Sequence, residues 1–123
     1  MNRDNKWKSE FLERLLKFSV RIILLANRLP KTPAGFAIAT QLIKAGTSIG
    51  ANVNEAQDAS SSKDFVQKLS IALREAKETR YWLSIIVRAE LLQHQLVEPE
   101  LKECEEIIAI LTSSIKSAKS KYL

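Results

Sequence analysis

Apolar residues recur along this chain at alternating spacings of four and three, the period of a helix with one buried stripe. From about Lys8 to Arg28 the stripe is Phe11, Leu15, Phe18, Ile22, Leu25 and Leu29, widened by Leu12, Leu16 and Ile23. Pro30 and Pro33 stop this helix, because proline lacks the amide hydrogen and restricts the residue before it, so residues 29–33 form a turn. A second helix over about 34–56 buries Ala39, Leu42, Gly46, Ile49, Val53 and Ala56, a face made mostly of small residues. Glycine inside a helix costs about 1 kcal/mol relative to alanine, so Gly46 and Gly50 predict the close approach of a neighbouring backbone. The polar linker QDASSS leads to a third helix over about 62–92, with Ser62 as its expected cap and Phe65, Leu69, Ala72, Ala76, Thr79, Leu83 and Ile86 as its stripe. A turn containing His94 and Gln95 separates it from a fourth helix over about 98–120, opened by Glu98 and Pro99. There the stripe is Leu101, Cys104, Ile108, Leu111, Ile115, Ala118 and Tyr122. Glu100, Glu103, Glu105 and Glu106 suit the positive end of that helix dipole, and Lys116, Lys119 and Lys121 the negative end. Four amphipathic helices joined by short turns predict an all-α fold, an antiparallel up-down-up-down four-helix bundle forming one domain over residues 1–123.

The third helix carries more than one stripe. Ile71, Glu75, Glu78, Trp82, Ile85, Ala89 and Leu92 repeat the same alternation about a quarter to half a turn further round, away from the core. Large apolar side chains in that position need a cover, and another copy of the chain is the simplest one. The chain is therefore expected to form a homo-oligomer, with Ile71, Glu75, Glu78, Trp82, Ile85 and Ala89 in the contact and Trp82 as its anchor. For Glu75 and Glu78 two readings stand side by side. Either they are solvated, with Arg74 four residues before Glu78 able to pair with it, or they meet cations of a neighbour's first helix.

Composition agrees with an ordered, helix-rich domain: of 123 residues 46% are hydrophobic and 27% charged, with only three glycines and three prolines. No apolar run approaches the roughly 20 residues that span a bilayer, and the opening MNRDNKWKSE is no signal-peptide core, so the expected location is cytoplasmic, without membrane contact. The one cysteine, Cys104, cannot form an internal disulfide and reads as a small apolar filler. The net charge of +5 is uneven: residues 1–31 hold eight basic and three acidic groups, which alone gives 8 − 3 = +5. Arg14, Lys17, Arg21 and Arg28 fall in a narrow strip opposite the first helix's stripe, an arrangement suited to the phosphates of RNA or DNA. A solvated face on an adaptor that binds another protein is the competing account of the same charges.

Candidate chemistry is sparse. Metal-binding bundles use Glu-x-x-His on inward faces, and the single histidine, His94, is distant in sequence from Glu75 and Glu78, so no metal or other cofactor is expected. AGTSIG at 45–50 lacks the Gly-Lys-Ser/Thr step of a phosphate-binding loop. Arg88 and His94 form an R-x-x-x-x-x-H pair resembling the motif of HEPN ribonucleases, in which the histidine does acid-base work and the arginine stabilises phosphate. Ala89 stands where those enzymes usually carry a polar residue. The expected class is thus a non-enzyme, with ribonuclease as a remote alternative.

QLIKAGTSIGANVNEA (41–56) and SSSKDFVQKLSIALREAKET (60–79) resemble the four-helix-bundle proteins encoded in intervening sequences of bacterial 23S ribosomal RNA genes, the S23 ribosomal protein family. The pattern includes Ala45, Ser48-Ile49, Asn52, Glu55-Ala56, Lys63-Asp64-Phe65, the stretch from Ala72 to Ala76, and Glu78. This resemblance implies a closed homopentamer without established catalytic activity. It extends to the accessory variability protein of diversity-generating retroelements, a basic pentameric barrel that engages a reverse transcriptase and nucleic acid. The chain departs from its relatives at Gln57-Asp58-Ala59, where a glycine and further arginines are common, and Asp58 lowers the positive charge there.

Overall fold

The protein is described by a computed structural model covering residues 3–122. Helices α1 (Arg3–Ala26), α2 (Pro33–Ala56), α3 (Ser62–Arg88) and α4 (His94–Tyr122) pack in chain order. At about 1.5 Å per residue, 24 to 29 residues give rods of about 36–44 Å. Neighbours run antiparallel: on α1 and α2 Ile22 meets Gly46 and Leu15 meets Gly50, while Arg14 and Arg21 reach Glu103 and Glu100 on α4. The α1–α4 seam is the loosest, with few close backbone approaches, and long charged side chains bridge it. None of the described helices is long and apolar enough to cross a membrane.

The alternating stripes meet in one core. Phe11, Leu15, Phe18, Ile22, Leu25 and Leu29 are buried, as are Leu69, Ala72, Ala76, Thr79, Leu83 and Ile86 of α3. Phe65 is only half buried, and Val66 takes its place inside. Cys104, Ile108, Leu111, Ile115 and Ala118 line α4, joined by Val97 and Ile107, whereas Leu101 is half buried; the side chain of Tyr122 lies outside the described residues. Two polar groups inside find backbone acceptors: Thr79 Oγ1 donates to the Glu75 carbonyl at 2.8 Å and Cys104 Sγ to the Ala76 carbonyl at 3.2 Å. Burial pushes the Cys104 thiol up to about 12, so it stays protonated and inert.

Helix boundaries follow local chemistry. Pro33 is the first residue of α2, and Thr32 caps it by accepting from the Gly35 amide at 3.1 Å. Ser61, rather than the expected Ser62, caps α3 through the Asp64 amide. The third helix ends at Arg88, short of the expected Leu92. Glu90 adopts φ 57°, and the Leu91 and Glu90 amides donate back to the Ile86 and Val87 carbonyls at 3.0 and 3.1 Å, the paired bonds of a Schellman stop. The fourth helix begins at His94, earlier than the expected Glu98, because burial of Val97 and packing of Leu96 on the core draw an extra turn into it. Pro99 therefore sits inside the helix, and no acidic residue lies in the first turn, so α4's glutamates do not serve the helix dipole.

Of the three glycines in α2, Gly46 and Gly50 differ in what surrounds them. A Cβ on Gly46 would lie 2.7 Å from Ile22 Cγ2, so this glycine makes room for a branched side chain rather than for the backbone expected. A Cβ on Gly50 would make only ordinary contact, 3.4 Å from Leu15 Cβ. Gly46→Ala should destabilise the bundle by about 1 kcal/mol, the overpacking outweighing the gain in helix propensity. Glu90→Gly should raise stability by about 1 kcal/mol, since glycine adopts positive φ without steric cost. Urea denaturation midpoints of the two variants check both values.

Candidate interaction surfaces

Of the four cations in the basic strip of α1, two are already answered within the chain. Arg14 grips Glu103 with two bonds, Nε to Oε2 and Nη2 to Oε1, both 2.7 Å, and its Nη2 lies 3.4 Å from Glu106 Oε1. The hydrogen bonds from Arg14 hold the Glu103 carboxyl below its usual range against the opposing effect of burial, and they fix the guanidinium more firmly in its charged form. Arg21 Nη2 stands 2.7 Å from Glu100 Oε1, a nearly buried oxygen met off the hydrogen-bonding direction, so that contact is coulombic. Lys17 and Arg28 are exposed and have no carboxylate partner among the described residues. The strip lies on the flank of α1 toward α4 rather than opposite the core stripe as expected, the outer face being taken by Leu16, Val20, Ile23 and Leu24, and it divides into a structural pair and a free pair. Glu100, Glu103 and Glu106, spaced by three, form one face of α4 toward α1, a sequence signal for these ion pairs.

The largest uncovered apolar surface lies on α1 rather than on α3. Leu16, Val20, Ile23 and Leu24 follow helical spacing on its outer side and are 60%, 50%, 38% and 60% exposed. Burying side chains of this kind is worth about 1.5–3 kcal/mol each, so covering the remaining half of four of them is worth on the order of 4 kcal/mol. Beside this row runs an open groove of about 620 Å³ between α1 and α2, with Leu12 and Leu16 on its wall and Ser19, Thr47, Gly50 and Ala51 keeping it shallow in side chains. Leu16 and Ile23, which the periodicity assigned to the widened core face, belong to this exposed row, while Leu12 packs partly on the core.

On α3, Ile71, Glu75, Glu78, Trp82 and Ile85 are all half buried, Ala89 is exposed just past the helix end, and Leu92 is half buried in the connector. Trp82 packs in part against its own chain's core, which corrects the expectation that this face has no cover of its own. Its Nε1 donates to Glu78 Oε1 at a long 3.4 Å, and Tyr81 meets it edge-on at 5.4 Å. Burial, and then the neighbouring Glu78 charge, push the Glu75 carboxyl above its ordinary range, with Arg74 and Lys44 opposing. No ion pair joins Arg74 to Glu78 among the described residues. Arg88 and His94 stand at the two ends of the α3–α4 connector, both exposed, and His94 Nε2 lies 3.7 Å from Glu98 Oε2. Among the described residues no cluster of three His, Cys, Asp or Glu could hold a metal.

A sequence profile of the 23S rRNA-intervening sequence proteins matches residues 8–113, nearly the whole bundle. The chain belongs to the 23S rRNA-intervening sequence protein family. A crystal structure of a protein of unknown function from the S23 ribosomal protein family of Bacteroides thetaiotaomicron is similar to it, at 41% identity, over 85% of this chain and 97% of that one, with a TM-score of 0.80. Among proteins with curated descriptions none matches this chain. Membership of the 23S rRNA-intervening sequence protein family thus fixes the fold and leaves function open.

The Arg14–Glu103 pair has a defined pH signature. Because the folded carboxyl titrates below its unfolded value, the pair's contribution is present above about pH 4.3 and is lost as pH falls through the lower folded value. Glu103→Gln should cost about 1–2 kcal/mol near neutral pH, reduced from a fully buried pair by the exposure of Arg14. The gap between variant and unmodified chain should narrow in denaturation series as pH falls below about 4.3 and close once it is under the lowered folded value.

Proposed function

We propose that this chain works as a non-enzymatic homo-oligomer, a scaffold of identical bundles whose number is five by the family resemblance. The observation that carries the proposal is the exposed apolar row Leu16, Val20, Ile23 and Leu24, surface that a single copy leaves in water. The half-buried face around Glu75, Glu78 and Trp82 supports it as a second contact region. Light scattering on the unmodified chain should give a multiple of 13.9 kDa. A mass of 13.9 kDa at micromolar concentration removes the proposal.

The net charge of +5, and Lys17 and Arg28 without a carboxylate partner among the described residues, favour a second reading, low-specificity binding of RNA or DNA through phosphates. Arg14 and Arg21 contribute less to it than their position in sequence suggests, because carboxylates of α4 already answer them. Binding of this kind weakens as salt rises, by about one power of salt concentration for each phosphate neutralised. Titration of single-stranded RNA and duplex DNA at low and moderate salt should show salt-sensitive affinity that Lys17→Glu with Arg28→Glu reduces at least tenfold. Equal affinity of the two proteins would leave an adaptor for a protein partner, detectable as a stoichiometric companion that survives nuclease treatment. The pairing of Arg88 with His94 contributes to neither reading.

A further inference from the structure

Two surfaces of the bundle complement each other more closely than either complements itself. The first is the α1 row, Leu16, Val20, Ile23 and Leu24, with exposed Lys17 and Arg28 along its side and the shallow α1–α2 groove next to it. Gly50 in that groove has room for a Cβ in its own chain, so packing within the bundle does not account for this helix-weakening residue. The second is the α3 strip, where Ile71, Trp82 and Ile85 flank Glu75 and Glu78. Burial, and then the Glu78 charge, disfavour the ionised Glu75 carboxyl and outweigh the opposing Arg74 and Lys44.

We infer that the α1 face of one copy docks head-to-tail on the α3 strip of a second copy, with the apolar rows packed together and Lys17 and Arg28 meeting Glu75 and Glu78. This arrangement rests on the homo-oligomer proposed above and specifies its surfaces. Charge decides among the possible pairings. An α3 strip against its own twin would set four carboxylates together in a partly dry contact, a costly juxtaposition. An α1 row against its own twin would cover the leucines but bring Glu75 and Glu78 no cation beyond the Arg74 and Lys44 of their own chain. The heterologous pairing satisfies both surfaces at once. Because the α1 and α3 backbones make no close approach and lie diagonally across the bundle, each copy can hold one neighbour with each helix, the geometry from which rings are built. In this contact Lys17 and Arg28 are spent on protein, so the docking and the nucleic-acid reading compete for the same cations.

Complementation of broken faces tests the assignment. One variant, Val20→Glu with Leu24→Glu, spoils the α1 face at exposed positions; the other, Ile71→Glu with Ile85→Glu, spoils the α3 strip. Each alone should sediment as the 13.9 kDa chain with an unchanged helical signal, and an equimolar mixture should give a species of twice that mass, because one good junction remains. A mixture that stays monomeric, or either variant alone keeping the unmodified assembly, overturns the assignment. The unmodified chain run alongside separates the two failures: if it is itself monomeric, the homo-oligomer falls, and if it assembles while the mixture does not, only the choice of faces falls. Should the α3 variant lose helicity, thiol cross-linking replaces it. Val20→Cys and Glu78→Cys chains treated with a short bis-maleimide should cross-link only when mixed, while buried Cys104 stays silent. Cross-linking of Val20→Cys with itself, or no cross-linking in the mixture, contradicts the docking.

Discussion

Helix α1 is apolar around more of its circumference than a four-helix bundle can cover, and much of this structure's meaning follows from that constraint. Its inner face supplies Leu15, Phe18 and Ile22, among the most buried side chains of the core. Its flank toward α4 is held by ion pairs, and its outer face shows leucines to water. Any one of these uses would be ordinary for a bundle helix. All three together leave an interaction surface on a helix whose position is already fixed from two sides, so the surface is rigid before a partner arrives. Preorganisation of this kind lowers the entropy cost of association.

The looseness of the α1–α4 seam explains why its glue is ionic. Where backbones stay apart, short apolar side chains cannot meet, while arginine and glutamate can span the gap. Arg14 does so with a planar two-bond grip that fixes register as well as distance. Glu100, nearly buried and met by Arg21 only through charge, is the weaker half of the same device. Cations that would have been free for an anionic partner thereby become part of the fold. Net charge alone is consequently a poor guide to the surface available for phosphate.

Much of the fold is legible in the sequence because helical periodicity reports burial directly. Phe11, Leu15, Phe18 and Ile22, and likewise Ala72, Ala76, Leu83 and Ile86, are buried as their spacing requires. The errors arise where tertiary packing or unmarked backbone geometry decides. Glu90 closes α3 in a conformation usually marked by glycine, so nothing in the sequence signals the stop. Val97 pulls α4 back past Pro99, against the usual meaning of a proline. The α1 row was harder to see, since Leu16 and Ile23 sit near enough to the core stripe to count as its margin, and only the angular placement of neighbouring helices shows them facing out. The α3 strip was legible as a second stripe, but not that Trp82 would lean partly on its own core.

The central claim is that the outer row of α1 is covered in the working protein. Residue-resolved carbene footprinting of the unmodified chain at micromolar concentration tests it with an internal standard on the same helix. If a second copy covers the row, Leu16, Val20 and Leu24 are labelled as weakly as core Leu15 and Ile22. If those three take up several times more label than Leu15 and Ile22, the row faces water and the account is wrong.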